Sequence, residues 1–169
     1  LVDGYNIVFA WEDLKELAEV NIEAARGKLM DILCNYQGYK GCTLILVFDA
    51  YKVVGNTGEM TDYHNIHVVY TKEAETADQY IEKLAHEIGR KYNVTVATSD
   101  GMEQLIIRGQ GCRLLSGREL WDEIEYMKQE LRREYIEKHP GGPKNYLFDH
   151  MEDELAFYME QVRLGKKEI

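Results

Sequence analysis

The chain alternates short runs rich in β-branched residues with long amphipathic stretches, and three of the short runs end on acids. That alternation restricts the fold to βαβ units on a mainly parallel sheet. Leu1-Val2 ends on Asp3, Ile45-Leu46-Val47-Phe48 on Asp49, and Val96-Ala97-Thr98-Ser99 on Asp100, while Asp78 follows Thr76-Ala77 where a helical pattern opens. The carboxyl ends of parallel strands share one edge, where ligands bind. Acids far apart in sequence therefore converge there. Such a cluster repels itself: at ~6 Å and an effective dielectric of ~20, each ionised pair costs roughly 3 kcal/mol. Either some of the carboxyls hold protons or a cation sits among them. A lone Asp after a strand is an ordinary cap or turn residue. Four on one edge make a shared metal site the sharper reading.

The spacing predicts strands at Leu1 to Asp3, Thr43 to Phe48, Ile66 to Tyr70, Val94 to Thr98 and Gly111 to Leu115. Helical periodicity covers about Asp13 to Asn35, Thr76 to Tyr92 and Met102 to Arg108, and a polar loop with Gly55 and Gly58 precedes the third strand. Ser116 reads as an N-cap with Glu119 as its capping-box partner, opening a helix to about Lys138. His139-Pro140-Gly141-Gly142-Pro143 ends that helix, and a last one follows from about Asp149 to Arg163. The expectation is one domain over 1–169, an α/β fold with about five mainly parallel strands flanked by helices. Within it, 140–169 would form a C-terminal loop and docking helix. Leu1 falls inside an apolar strand and is not methionine, so a few residues are expected upstream, and a cleaved leader stays open.

An apolar share of 45% and a charged share of 30% are those of a soluble globular protein. No apolar run approaches the ~20 residues that cross a bilayer. Cys34, Cys42 and Cys112 are scattered and form no C-x-x-C pattern, which reads as reduced core thiols in the cytoplasm. The net charge of −10 argues against a protein that coats nucleic acid. It leaves room for a nuclease, because acidic metal ligands account for part of the deficit.

With only oxygen ligands and no zinc-type Cys/His set, the metal would be Mg²⁺ or Mn²⁺. Two ions ~3.5–4 Å apart would suit in-line attack of water on a phosphodiester; one ion is equally compatible. Asn6, Thr98 and Ser99 offer polar groups for a ligand water or a phosphate. Lys52, Lys72, Arg108, Arg113 and Arg118 could meet phosphate oxygens, and Tyr5, Trp11, Tyr51 and Tyr70 could stack on unpaired bases. Their ordinary readings are surface cations and packed aromatics. Glu82, one turn beyond Asp78, reads as a solvated helix residue.

Five ordered segments carry a family resemblance: Val2-Asp3-Gly4-Tyr5-Asn6, Val47-Phe48-Asp49-Ala50-Tyr51, Tyr70-Thr71-Lys72-Glu73, Thr76-Ala77-Asp78 and Thr98-Ser99-Asp100. Together they resemble NYN-domain proteins of the YacP type, within the PIN-like nuclease superfamily, and Ser116-Gly117-Arg118-Glu119-Leu120 fits too. The resemblance implies a three-layer PIN-like fold and a metal-dependent endoribonuclease. Asp3, Asp49, Asp78 and Asp100 would be its catalytic and metal-binding acids, with Asn6 as their polar companion. It also implies cleavage of single-stranded mRNA on the ribosome, whose surface would supply affinity that an acidic protein lacks. One alternative is a catalytically silent RNA- or ribosome-binding module. Another is a phosphatase or phospho-acceptor using Asp3 or Asp49, disfavoured because Tyr5 stands where the second acid of a D-x-D pair belongs.

Overall fold

The computed structural model describes residues 1–49, 60–72 and 74–138, the last four by backbone alone. The expected final helix (Asp149 to Arg163) and the candidates Tyr51 and Lys52 lie outside the described residues. By its contacts the chain divides into two units, Leu1–Lys128 and Gln129–Ile169. Everything below concerns the first.

Six strands form one sheet: β1 (Val2–Asp3), β2 (Ile45–Phe48), β3 (Met60–Tyr63), β4 (Ile66–Tyr70), β5 (Thr95–Ala97) and β6 (Arg113–Leu115). Their order is β3-β4-β2-β1-β5-β6, parallel throughout except for the antiparallel edge pair β3–β4. The helices are α1 (Gly4–Ala10), α2 (Glu12–Val20), α3 (Ile22–Lys40), α4 (Ala77–Ile88), α5 (Gly101–Gly109) and α6 (Gly117–Lys138).

The four inner strands, β4, β2, β1 and β5, are largely buried on both faces, as a parallel sheet requires. Leu46, Phe48, Ile66, Val68 and Ala97 point into one core with Ile7, Val8, Leu14, Leu29, Leu33 and Ile124 from α1, α2, α3 and α6. Val47, Val69 and Val96, their neighbours in sequence, point the other way onto Ala77, Ile81 and Ala85 of α4 and Ile107 of α5. Period-two alternation thus divides the apolar residues between two helical layers, giving the expected three-layer α/β architecture.

Four details depart from the sequence reading. The helix expected over Asp13 to Asn35 is two helices, because the Asn21 side chain accepts from Glu23 N and Ala24 N at 2.9 and 3.1 Å and starts α3 afresh. Another helix, α1, fills the stretch before it, leaving Asp3 directly at a helix start. The loop before β4 contains β3, an exposed edge strand without the burial that makes strands legible. Of the cysteines, Cys34 and Cys112 are half-buried, but Cys42 is exposed.

β1 is two residues long and the chain turns into α1 at once, which crowds Gly4 against the Phe48 ring: a Cβ on Gly4 would collide with it. Gly4→Ala should therefore destabilise the protein by about 1–3 kcal/mol through overpacking. In thermal denaturation followed by circular dichroism this should appear as a midpoint lowered by about 5 °C. An unchanged midpoint would show that Phe48 moves aside freely.

Candidate metal centre

β1 and β5 are neighbours, and chain connections run outward from them in opposite directions, β1 to β2 and β5 to β6. The crevice at such a switch point, beyond the strands' carboxyl ends, is the usual ligand site of an open α/β sheet. Asp3 ends β1 on one side of it. The turn after β5, Thr98 to Asp100, forms the other side and leads into α5.

Each strand-end aspartate accepts backbone N–H groups of a helix. Asp3 Oδ1 accepts from Asn6 N at 3.0 Å, capping α1. Asp49 Oδ1 accepts from Ala77 N at 2.7 Å, tying the end of β2 to the start of α4. Asp100 Oδ1 accepts from Met102 N and Glu103 N at 2.7 and 3.2 Å, capping α5. Asp78 follows Ala77 in the first turn of α4, and its side chain is exposed.

Of the four expected acids, the structure gathers Asp3 and Asp78, and the third member of the cluster is Glu103. One carboxylate oxygen from each of Asp3, Asp78 and Glu103 lies within 4.8 Å of the other two. Asp49 and Asp100 stand at the same sheet edge, each with an oxygen engaged as a cap. Glu103 was not singled out from the sequence. Its signal was present, since it lies three residues after Asp100 in the first turn of a helix, as Asp78 lies in the first turn of α4.

Asp3 and Glu103 are 5% and 4% exposed, and burial dominates their chemistry. Desolvation pushes the Asp3 carboxyl up to about 8; the Asn6 N–H opposes this, and the Asp78 and Glu103 carboxyls add to it. Desolvation likewise raises Glu103 to about 7, opposed by the nearby Thr98 hydroxyl and reinforced by Asp78 and Asp100. Both Glu103 oxygens are nonetheless without a well-formed hydrogen bond. The Thr98 hydroxyl favours the carboxylate by proximity, while its oxygen accepts from Asp100 N at 3.1 Å. Buried carboxylate oxygens without donors, beside two further carboxyls, fit a hard divalent cation.

The remaining candidates separate by place. Thr98 is fully buried, so its contacts are with the turn and not with solvent. Asn6 Oδ1 accepts from Ser99 N at 2.7 Å, joining the first turn of α1 to the β5–α5 turn. Ser99 Oγ accepts from Gly117 N at 3.1 Å, an approach that a side chain on Gly117 would block, its Cβ falling 2.5 Å from that oxygen. Lys72 follows β4 and Arg118 opens α6, both exposed and both beyond strand carboxyl ends. Arg108 closes α5 and Arg113 opens β6, which puts them toward the opposite edge; Arg113 lies 3.7 Å from Glu123. The aromatic candidates are packed. Tyr5 meets Phe48 edge-on at 5.0 Å and accepts from Arg26 at 3.1 Å. Tyr70 stacks on Phe48 at 5.6 Å, and Trp11 donates to Gly117 O at 2.8 Å.

The sequence model of the YacP-like NYN domain matches residues 1–164. The chain belongs to the YacP-like NYN domain family. Over 134 residues it is 44% identical to YacP of Bacillus subtilis strain 168, covering 79% of this chain and 78% of the relative. Two solved structures of Rae1 (YacP) from Bacillus subtilis superpose on it with a TM-score of 0.70. One, at 37% identity, covers 98% of this chain and 94% of its own. The other, a mutant, is 39% identical over 83% of this chain and 84% of its own. YacP-like NYN domains are a nuclease-type PIN-like family. Among the described residues no helix is long and apolar enough to cross a membrane.

The buried acids give the metal-free protein a definite pH response. Asp3 and Glu103 bind their protons more tightly folded than unfolded, so between the ordinary carboxylate range and about 7 to 8 the folded state holds the extra protons. Its stability therefore falls as pH rises through that window. In EDTA, the thermal midpoint should drop as pH is raised from about 5 to about 8. Saturating Mn²⁺ should recover it at the upper pH and do little at the lower, where protons occupy the ligands. Glu103→Gln should raise the metal-free midpoint at the upper pH and cancel the Mn²⁺ response. A midpoint indifferent to pH and Mn²⁺ would rule out this account of the cluster.

Proposed function

We propose that this chain is a divalent-metal-dependent endoribonuclease acting in the cytoplasm on single-stranded RNA, specifically mRNA, in association with the ribosome. The observation that carries the proposal is the Asp3–Asp78–Glu103 cluster, with its unpartnered buried oxygens, at the switch point of a nuclease-type fold.

Asp3, Asp78 and Glu103 would hold Mg²⁺ or Mn²⁺. When bound, such an ion supplies Lewis acidity toward a phosphoryl oxygen and a water of lowered pKa. The residues of the chain do the rest. Asp3 and Glu103, buried and fixed by the starts of α1 and α5, would set where such an ion is held. Asp78, exposed, faces incoming substrate. Asp49 and Asp100 act first through the helices they cap, which carry Asp78 and Glu103. Asn6 and Ser99, linked to each other, keep the two sides of the crevice in register. Lys72 and Arg118 are the cations placed to meet phosphates beside the scissile one.

Ribosome association rests on what the family resemblance implies, and the charge of the chain is compatible with it. A chain of net charge −10 has little general attraction for a polyanion. Docking on a larger assembly raises the effective concentration of message at the site.

Asp78→Asn removes one ligand charge from an exposed position, so the fold should persist and metal-dependent cleavage of a 5′-labelled unstructured RNA should fall about 100-fold or more. Cleavage at the wild-type rate by this variant would refute the mechanism. RNA bound but never cut by the wild-type protein, with translating ribosomes present, would make the chain a silent binding module.

A further inference from the structure

Glu103 reaches the acid cluster from helix α5, yet neither of its carboxylate oxygens has a well-formed hydrogen bond to hold it there. Its place is therefore set by the helix that carries it. Each ~10° of rotation about a helix axis carries a group ~5 Å out through about 0.9 Å, whereas metal–ligand distances tolerate only ~0.2 Å. The rotation of α5 thus decides whether the three carboxyl groups converge on one ion.

That helix is lightly held. Met102, Leu105 and Ile106 are exposed, and the buried side chains of α5 are Glu103 itself and Ile107. The Asp100 cap and the bond from Gln104 N to Asp100 O at 3.0 Å close the first turn on itself. The tie back to the sheet is a side chain: Gln104 Nε2 donates to Thr98 O at 2.9 Å, six residues earlier and just past the end of β5. Among the described residues no other α5 side chain makes a well-formed hydrogen bond to a strand end. Thr98 is a firm anchor for it. Thr98 is fully buried, its N donates to Leu115 O of β6 at 3.0 Å, and its hydroxyl accepts from Asp100 N at 3.1 Å.

We propose that Gln104 is a positioning residue for the acid cluster, its side-chain amide clamping α5 to the end of β5 and so fixing the angle from which Glu103 enters. The inference deepens the metal-dependent reading and rests on it for the identity of the bound ion. Gln104 acts through its neighbour: the two residues share one helical turn, so a clamp on the first sets the direction of the second. Groups that orient a ligand without touching the metal commonly govern its affinity as much as the ligands do.

The test compares Gln104→Met, which keeps the length of the side chain and loses the donor, with the wild-type chain. Gln37→Met is the control: it removes a like tie, Gln37 Nε2 to Cys42 O at 2.8 Å, from α3, which contributes no acid to the cluster. In EDTA both variants should lower the thermal midpoint by about 2–4 °C, the effect of losing one hydrogen bond. Hydrogen exchange in EDTA at the Met102 and Glu103 amides should quicken about fivefold or more in Gln104→Met and stay unchanged in Gln37→Met. Affinity for Mn²⁺ alone, read by electron paramagnetic resonance of the free ion, should weaken about tenfold or more in Gln104→Met. In Gln37→Met it should change by less than about twofold, because the sites are independent. Wild-type Mn²⁺ affinity in Gln104→Met, an equal loss in Gln37→Met, or unchanged exchange in α5 overturns the positioning role. Wild-type protein that binds no Mn²⁺ would sink the metal-dependent reading instead. The exchange comparison contains no metal, so quickening confined to α5 would still support the clamp.

Discussion

Two carboxyl groups packed together with little water are the constraint around which this fold is organised. At the 4.8 Å limit that encloses Asp3, Asp78 and Glu103, each ionised pair repels by roughly 3 kcal/mol at an effective dielectric of ~20, and burial adds desolvation to that. The sheet order makes the burial unavoidable. Asp3 ends a strand flanked on both sides by β2 and β5, with helical layers above and below. The protein has two ways to relieve the cost. Without metal, Asp3 and Glu103 keep their protons to about 8 and about 7; with metal, the cation replaces those protons. A cation bound among these carboxyls would take the place of protons near neutral pH.

Much of the architecture was legible in the sequence because the inner strands are buried on both faces and so read as short continuous apolar runs. Ile45 to Phe48 and Ile66 to Tyr70 were found this way with errors of a residue or two. β3 escaped for the opposite reason: Met60, Thr61 and Asp62 are exposed, and its pairing with β4 is a matter of backbone hydrogen bonds that leave no apolar pattern. The split between α2 and α3 escaped because periodicity continues across Asn21, while the side-chain oxygen that restarts the helix is a local competition.

The candidate site was legible as a place but not as a ligand set. Strand-end aspartates mark the edge of the sheet at which the acids gather. Which carboxyls then face one another depends on how each helix start uses them. Asp100 shows this clearly. Its Oδ1 takes the N–H groups of Met102 and Glu103, and that cap fixes the first turn from which Glu103 projects into the crevice. A reading that stops at the strand end finds the cap and misses the acid it aims. Thr98 and Ser99, offered by the sequence as substrate contacts, are drawn into the same turn by Asp100 N and Gly117 N.

Position in the sheet, more than the identity of any motif, separates the roles of three chemically identical residues. Asp3, Asp49 and Asp100 all follow apolar runs and all accept helical N–H groups. Only Asp3 is buried; Asp49 and Asp100 are part-exposed. A cap on a part-exposed turn keeps its contact with water. The same cap at the centre of a sheet is desolvated and gathers other acids around it. The acid cluster therefore belongs to the strand order β2-β1-β5 as much as to any residue. Moving β1 to an edge would leave every side chain in place in the sequence and still dissolve the site.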